Sequence, residues 1–250
     1  MALWRPGKEV VLFTNPIGRK LLDGLVAYWP LDEASGTRRD LSGNGLTLTD
    51  NNTVTGNPGP SYKLPLAGQF TAANSEYLSR ASEPLLQTGD IDWAIGVFLR
   101  LDTLPGAGKF PAVVSKWGTV GQLEYTLFVN GNDNKPRLQV SPDGTGTPIY
   151  AVGGGLSSAM SIDTWYFLLA WHDSVNNVIG LRLDNEEAVV AHALGVRAGT
   201  DALRIGTDNV ATSFINGRIA AIPFWKRVPA PAERVYMAQG RMLIPGRGFV

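Results

Sequence analysis

Residues 24–45 read GLVAYWPLDEASGTRRDLSGNG, and the reading of this stretch decides the fold. An apolar run, Leu25-Val26-Ala27-Tyr28-Trp29, stops at Pro30, passes an acidic turn at Asp32 and Glu33, and reaches the small-residue turn Ser42-Gly43-Asn44-Gly45. A short run of aromatic and branched residues, closed by Gly, Asn and Ser, suits a buried strand better than a helix. The same grammar recurs downstream. Over residues 92–101, Trp93, Ile95, Val97, Leu99 and Leu101 share one face, while Ala94, Gly96, Phe98 and Arg100 share the other. Tyr125, Leu127 and Val129 alternate in the same way, the turn 130–134 follows, and residues 137–140 return as a hairpin partner. Such strands and turns predict an antiparallel two-sheet sandwich with Trp29, Trp93, Val97, Tyr125, Leu127, Phe167, Leu169, Leu181 and Ile219 in its core.

The opening stretch resembles the start of laminin-G-like, concanavalin A-type jelly-roll domains in Leu25, Trp29, Leu31-Asp32-Glu33, Gly36, Asp40 and the Ser-Gly-Asn-Gly turn. Segments 66–78, 113–117, 164–171, 178–192, 203–206 and 216–219 are similar to later strands of the same family, so the resemblance spans residues 24–240. It implies an all-β, two-sheet antiparallel jelly-roll sandwich. Residues 1–23 read as an N-terminal arm, docking or loosely ordered, and residues 241–250 as a tail. A short helix is predicted over Pro231–Ala238, with proline in its first turn and Gly240 past its end. Residues 46–55 read as a short hairpin and residues 57–60 as a turn-rich break.

Composition narrows the function. Twenty-two basic residues balance 22 acidic ones among 250, so no whole-molecule field draws nucleic acid or anionic membrane. With no cysteine, disulfides and thiolate chemistry are absent. No signal peptide is read at the start and no segment approaches the ~20 apolar residues that span a bilayer, so synthesis in a cytoplasm is expected. No E-x-D-x-E stretch of the glucanase kind occurs, and Asp184-Asn185-Glu186-Glu187 sits at a hairpin turn where side chains diverge. His172 and His192 lack partners at metal or catalytic spacing and read as surface residues. The chain is therefore expected not to be an enzyme.

The resemblance adds three expectations. Many such domains hold a structural calcium ion, for which Asp32, Asp40 and Asn44 offer oxygen ligands; against it, Ala220-Ala221 stand where the family carries acidic residues, leaving Asp40 a turn-capping role. Glycan binding is common in the family, and Trp117, Asn132, Asp133, Asn134, Tyr150, Asp173 and Asn176 are candidates, each equally at home in turn chemistry. The third concerns setting. A laminin-G-like domain without a secretory signal fits a virion protein of a tailed bacteriophage, a non-catalytic structural or decoration protein docked on capsid or tail proteins. Trp4, Val10, Leu12, Phe13, Arg241 and Phe249 in the apolar arm and the basic tail are its docking candidates, cell-surface glycans its further partners, and a homo-oligomer one form it could take. The rival is a free carbohydrate-binding module, with a glycoside hydrolase third.

Overall fold

The computed structural model describes residues 16–61, 63–147 and 150–240. The docking candidates Trp4, Val10, Leu12, Phe13, Arg241 and Phe249 lie outside the described residues, as does the side chain of Tyr150.

The opening run forms β1 (Leu25–Trp29). There follow β2 (Thr49–Asn51), β3 (Thr55–Ser61), β4 (Leu64–Phe70), β5 (Tyr77–Arg80), β6 (Trp93–Leu101), β7 (Ala112–Lys116) and β8 (Tyr125–Asn130). Next come β9 (Lys135–Val140), β10 (Tyr150–Val152), β11 (Trp165–Asp173), β12 (Val178–Leu183) and β13 (Glu186–Ala191). The last strands are β14 (Leu203–Ile205), β15 (Gly217–Ala220) and β16 (Ile222–Trp225), flanked by short helices α1 (Pro16–Lys20) and α2 (Pro231–Ala238).

Two antiparallel sheets result, so the chain is a jelly-roll sandwich. One runs β13-β12-β11-β6-β15-β4-β3, with β16 beside β6 and β1 beside β16, nine strands in all; the other runs β10-β9-β8-β7-β14-β5-β2. Strand β6 divides its side chains as the alternation predicts. Trp93, Ile95, Val97, Leu99 and Leu101 face the other sheet, while Ala94 and Phe98 belong to a second apolar cluster on the outside.

That second cluster corrects the predicted core. Phe167 and Leu169 are buried, but on the outer face of the nine-stranded sheet, with Tyr28, Trp171 and Trp225 beneath Leu21, Tyr236 and Met237. Both faces of β11 are apolar because both are covered, so alternation cannot say which one meets the partner sheet. The Trp225 indole N–H donates to the Leu21 carbonyl at 2.7 Å, tying the end of the predicted arm to the sheet. Helix α2 starts as read. Glu233 accepts from the Ala230 N–H (2.7 Å) and from Arg227 (2.8 Å). Burial pushes its carboxyl up, and these bonds outweigh that and hold it below the usual range.

Three further expectations fail. Residues 46–55 make no hairpin, because β2 pairs with β5 in one sheet and β3 with β4 in the other, after a corner with left-handed Asn52 and Thr53. Residues 57–60 are no break but lie inside β3, an edge strand whose free side tolerates Pro58 and Pro60. Both histidines are buried, and their rings meet edge-on at 5.6 Å.

Asp40 shows why the opening motif exists. Its Oδ1 accepts from the backbone N–H of Tyr28 (3.0 Å) and Ser42 (2.9 Å), and its Oδ2 from the Ser42 hydroxyl (2.8 Å) and the Leu46 N–H (3.0 Å). The Asn44 amide donates to the Val26 carbonyl at 2.8 Å, and the Ser42 hydroxyl, at 2.9 Å from that carbonyl, shares its single proton between it and Asp40. The loop is sewn along the edge of β1.

Candidate functional site: an aromatic groove on the open sheet face

No helix covers the outer face of the seven-stranded sheet among the described residues. Across it, cross-strand pairing sets Gln139, Thr126, Ser115, Arg204, Ser79 and Thr49 in one row over six strands. Hydroxyls, an amide and a guanidinium thus occupy the positions that on the other sheet hold aromatic rings.

Trp117 stands at one side of this row, and its placement follows from its neighbours. Lys116 points inward, where its ammonium meets Glu124 at 2.6 Å with both side chains fully buried. Further hydrogen bonds hold the pair in place. Glu124 also accepts from the Thr88 hydroxyl (2.7 Å) and the Gly199 N–H (3.1 Å), and Lys116 also donates to the Gly199 carbonyl (3.0 Å). Since alternate residues of a strand point oppositely, anchoring Lys116 inward sends Trp117 outward. The Trp117 carbonyl accepts from Asn209 N–H at 2.7 Å. Gly118 permits that contact, because a β-carbon there would come within 2.5 Å of the Asn209 side chain.

Between Trp117 and the half-exposed Phe110 lies a groove of about 280 Å³. Its walls are Trp117, Phe110 and Phe128, the last two packed edge to face at 6.0 Å. Thr126, Asn130, Gln139 and Asp208 supply the polar lining. Asp208 accepts from the Val210 and Ala211 N–H groups through Oδ1 alone (3.0 and 2.8 Å). The Ser115 hydroxyl, next to Thr126 in the row, is buried with no hydrogen-bond partner among the described residues. Phe110 rides on a loop held by Gly131, whose β-carbon would strike the Gly106 carbonyl at 2.2 Å. Beyond that loop, a cleft of about 320 Å³ opens between residues 103–111 and 212–216, with Phe214 and Lys109 in its walls.

Of the sequence candidates, Trp117 lines the groove. Asn132 accepts from Gly108 N–H at 2.9 Å, and Asp133 binds Arg137 and the Lys135 N–H, so both organise the turn that supports the Phe110 loop. Asn134 takes the left-handed conformation of that turn. Asp173 and Asn176 bond each other across the β11–β12 hairpin, on the other sheet. The calcium candidates are likewise engaged. Asp40 has both oxygens in the bonds above, the Asn44 amide serves Val26, and Asp32 pairs with Arg39 at 3.3 Å. These bonds form a capped turn, and among the described residues there is no group of three His, Asp or Glu side chains that could hold a metal ion.

Sequence reasoning missed Phe110, Thr126, Phe128, Asn130, Gln139 and Asp208. One signal was readable: if Tyr125, Leu127 and Val129 point inward, Phe128 must point out, which sets an aromatic ring on an otherwise polar strand face.

No family model and no curated protein matches the sequence, but solved structures share the fold. The binding domain of Paraclostridial Mosquitocidal Protein 1 superposes with TM-score 0.69 at 14% identity, over 88% of this chain and 53% of that one. Domain 4 of AbnA, a GH43 extracellular arabinanase from Geobacillus stearothermophilus, in complex with arabinotriose, superposes with TM-score 0.64 at 15% identity, over 86% and 98%. A structure of botulinum neurotoxin type C, whose cell entry depends on interaction with two ganglioside molecules, gives 0.65 at 6% identity, over 89% and 52%. This chain thus spans about half of each toxin chain and nearly all of the arabinanase domain.

Proposed function

We propose that this chain is a non-catalytic glycan-binding module that holds a sugar in the Trp117 groove. The observation that carries the reading is the groove's chemistry: three aromatic rings with Thr126, Asn130, Gln139 and Asp208 around about 280 Å³. Aromatic faces stack on the C–H face of a sugar ring, and short polar side chains exchange hydrogen bonds with its hydroxyls. Glycoside hydrolysis calls for two carboxylates ~5–9.5 Å apart, and the groove lining contributes one, Asp208. The arabinotriose complex of domain 4 of AbnA and the dependence of botulinum neurotoxin type C cell entry on two ganglioside molecules, both proteins of this fold, support the reading. The test is a glycan array followed by calorimetry on the full chain. Trp117→Ala should weaken binding at least ~10-fold, equivalent to ~1.4 kcal/mol, and Gln139→Ala by a smaller factor. No glycan bound by the intact chain, or a Trp117→Ala variant that binds like wild type, overturns it.

The laminin-G-like resemblance carries the proposal one step further, to a module mounted on a tailed-phage virion by its termini. Antibody labelling of purified particles tests that setting, and particles without the chain remove it while leaving the groove untouched.

A further inference from the structure

A sheet edge exposes unpaired N–H and C=O groups, and proteins blunt such edges with prolines, bulges, short strands or covering loops. Four edges of this sandwich are blunted. The loop at residues 40–44 covers β1: Asp40 accepts from Tyr28 N–H, Leu41 N–H donates to the Tyr28 carbonyl (2.8 Å), and Val26 is bonded by Ser42 and Asn44. Strand β3 carries Pro58 and Pro60 and a register shift between Pro58 and Ser61. Strands β2 and β10 are only 3 residues long.

Among the described residues, no proline, bulge or covering loop blunts the fifth edge, β13, and the two charges it carries, Glu186 and Glu187, are bonded within the chain. The strand is 6 residues long, reads Glu-Glu-Ala-Val-Val-Ala, and pairs with β12 without a register shift. Its valines lie open, Val189 at 52% and Val190 at 41% exposure. The bonding pattern fixes which backbone groups are free. His192 N–H donates to the Asn177 carbonyl, one step past the Ala191–Val178 pair. Because bonded pairs alternate in an antiparallel ladder, Glu186, Ala188 and Val190 bond β12, while Glu187, Val189 and Ala191 turn their N–H and C=O outward.

We propose that β13 pairs antiparallel with β13 of a second copy of this chain, about a two-fold axis through Val189. That register is self-complementary. Val189 exchanges both bonds with its counterpart, and Glu187 meets Ala191, so no carboxylate faces another. Each Glu187 is already neutralised within its own chain, by Arg182 and by Arg234 at 3.1 Å. The nine-stranded sheet becomes continuous across the dimer, and the grooves, on the other sheet, stay open. One strand pair buries less than a standard ~1,600 Å² interface, so the dimer dissociates on dilution.

Sedimentation of the full chain at concentrations up to about 500 µM tests this, the range in which so small an interface dissociates. Wild type should pass from monomer to dimer. Val189→Pro removes an outward N–H that β12 does not use, and Val189→Lys sets two like charges on the axis. Both should raise the dissociation constant at least ~10-fold with circular dichroism unchanged, equivalent to ~1.4 kcal/mol. A wild type that stays monomeric throughout, or a dimer that both variants leave intact, overturns the proposal. Neither outcome depends on the glycan reading.

Discussion

The two sheets present the same pleat to the outside and treat it in opposite ways. On the nine-stranded sheet, Tyr28, Phe98, Phe167, Trp171 and Trp225 point outward and are buried beneath Leu21, Tyr236 and Met237. On the seven-stranded sheet, the outward row is Gln139, Thr126, Ser115, Arg204, Ser79 and Thr49; Trp117, Phe110 and Phe128 line one groove, while Tyr77 packs apart from them, beneath Arg204 and against Phe214. An outer face rich in rings needs a cover, and here the two ends of the described chain provide it. An outer face rich in hydrogen-bonding groups needs no such cover, although Ser115 and Thr126 within this row are buried. A ring left open on such a face, as Phe110 is at 45% exposure, costs free energy in water.

The largest effect that could break this comparison is on the covered face. Trp225→Ala removes a fully buried ring and its bond to Leu21 and should cost ~3–5 kcal/mol in denaturant unfolding, while the folded fraction binds glycan as before. Loss of binding in step with stability would show that the two faces are not independent. The mirror experiment lies across the sandwich. Phe110→Ala trims a ring that is 45% exposed, so it should cost below ~1 kcal/mol of stability yet weaken glycan binding several-fold. A stability loss as large as that of Trp225→Ala would mean that the groove rings are structural.

The smallest effect sits at the lateral rim. Glu186 accepts from the Ser157 N–H and hydroxyl, both at 2.7 Å, and from the Ser158 hydroxyl. Hydrogen bonds from Ser158 and Ser157 draw its carboxyl from the ordinary 4.5 down to about 2. A carboxylate with a depressed value stabilises the fold above the unfolded-state value, and that contribution is lost as pH falls from 4.5 toward 2. A carbon-13 titration should place the Glu186 midpoint near 2, and Ser157→Ala with Ser158→Ala should return it toward 4.5. A wild-type midpoint already near 4.5 would mean that the rim loop is open in solution.

Legibility in the sequence followed burial. Strand β6 could be read residue by residue because its two faces differ, and α2 because Pro231 and Gly240 bracket it. Strand β3 was missed because Pro58 and Pro60 break a strand anywhere except at an edge, and being an edge is a property of the sheet. The histidines are misread because a distant contact shields them: His172 bonds the Ile91 carbonyl at 2.8 Å, and the His192 ring, bonded to the nearby Gly195 carbonyl at 2.6 Å, packs against that of His172. At the groove, Trp117 could be picked out as an aromatic beside a loop. Asp208 and Gln139 could not, since they arrive on separate strands and loops.

Alternation of apolar side chains and turn residues, each acting within a few residues of backbone, together with the Asp40 loop motif, which ties back to the strand just before it, determined by themselves that this chain is a two-sheet sandwich. The tertiary structure alone decided which face of each sheet is covered, which strands are edges and which rings share a groove. Those depend on what packs against a strand from afar, and a strand apolar on both faces looks the same whichever side the partner sheet takes.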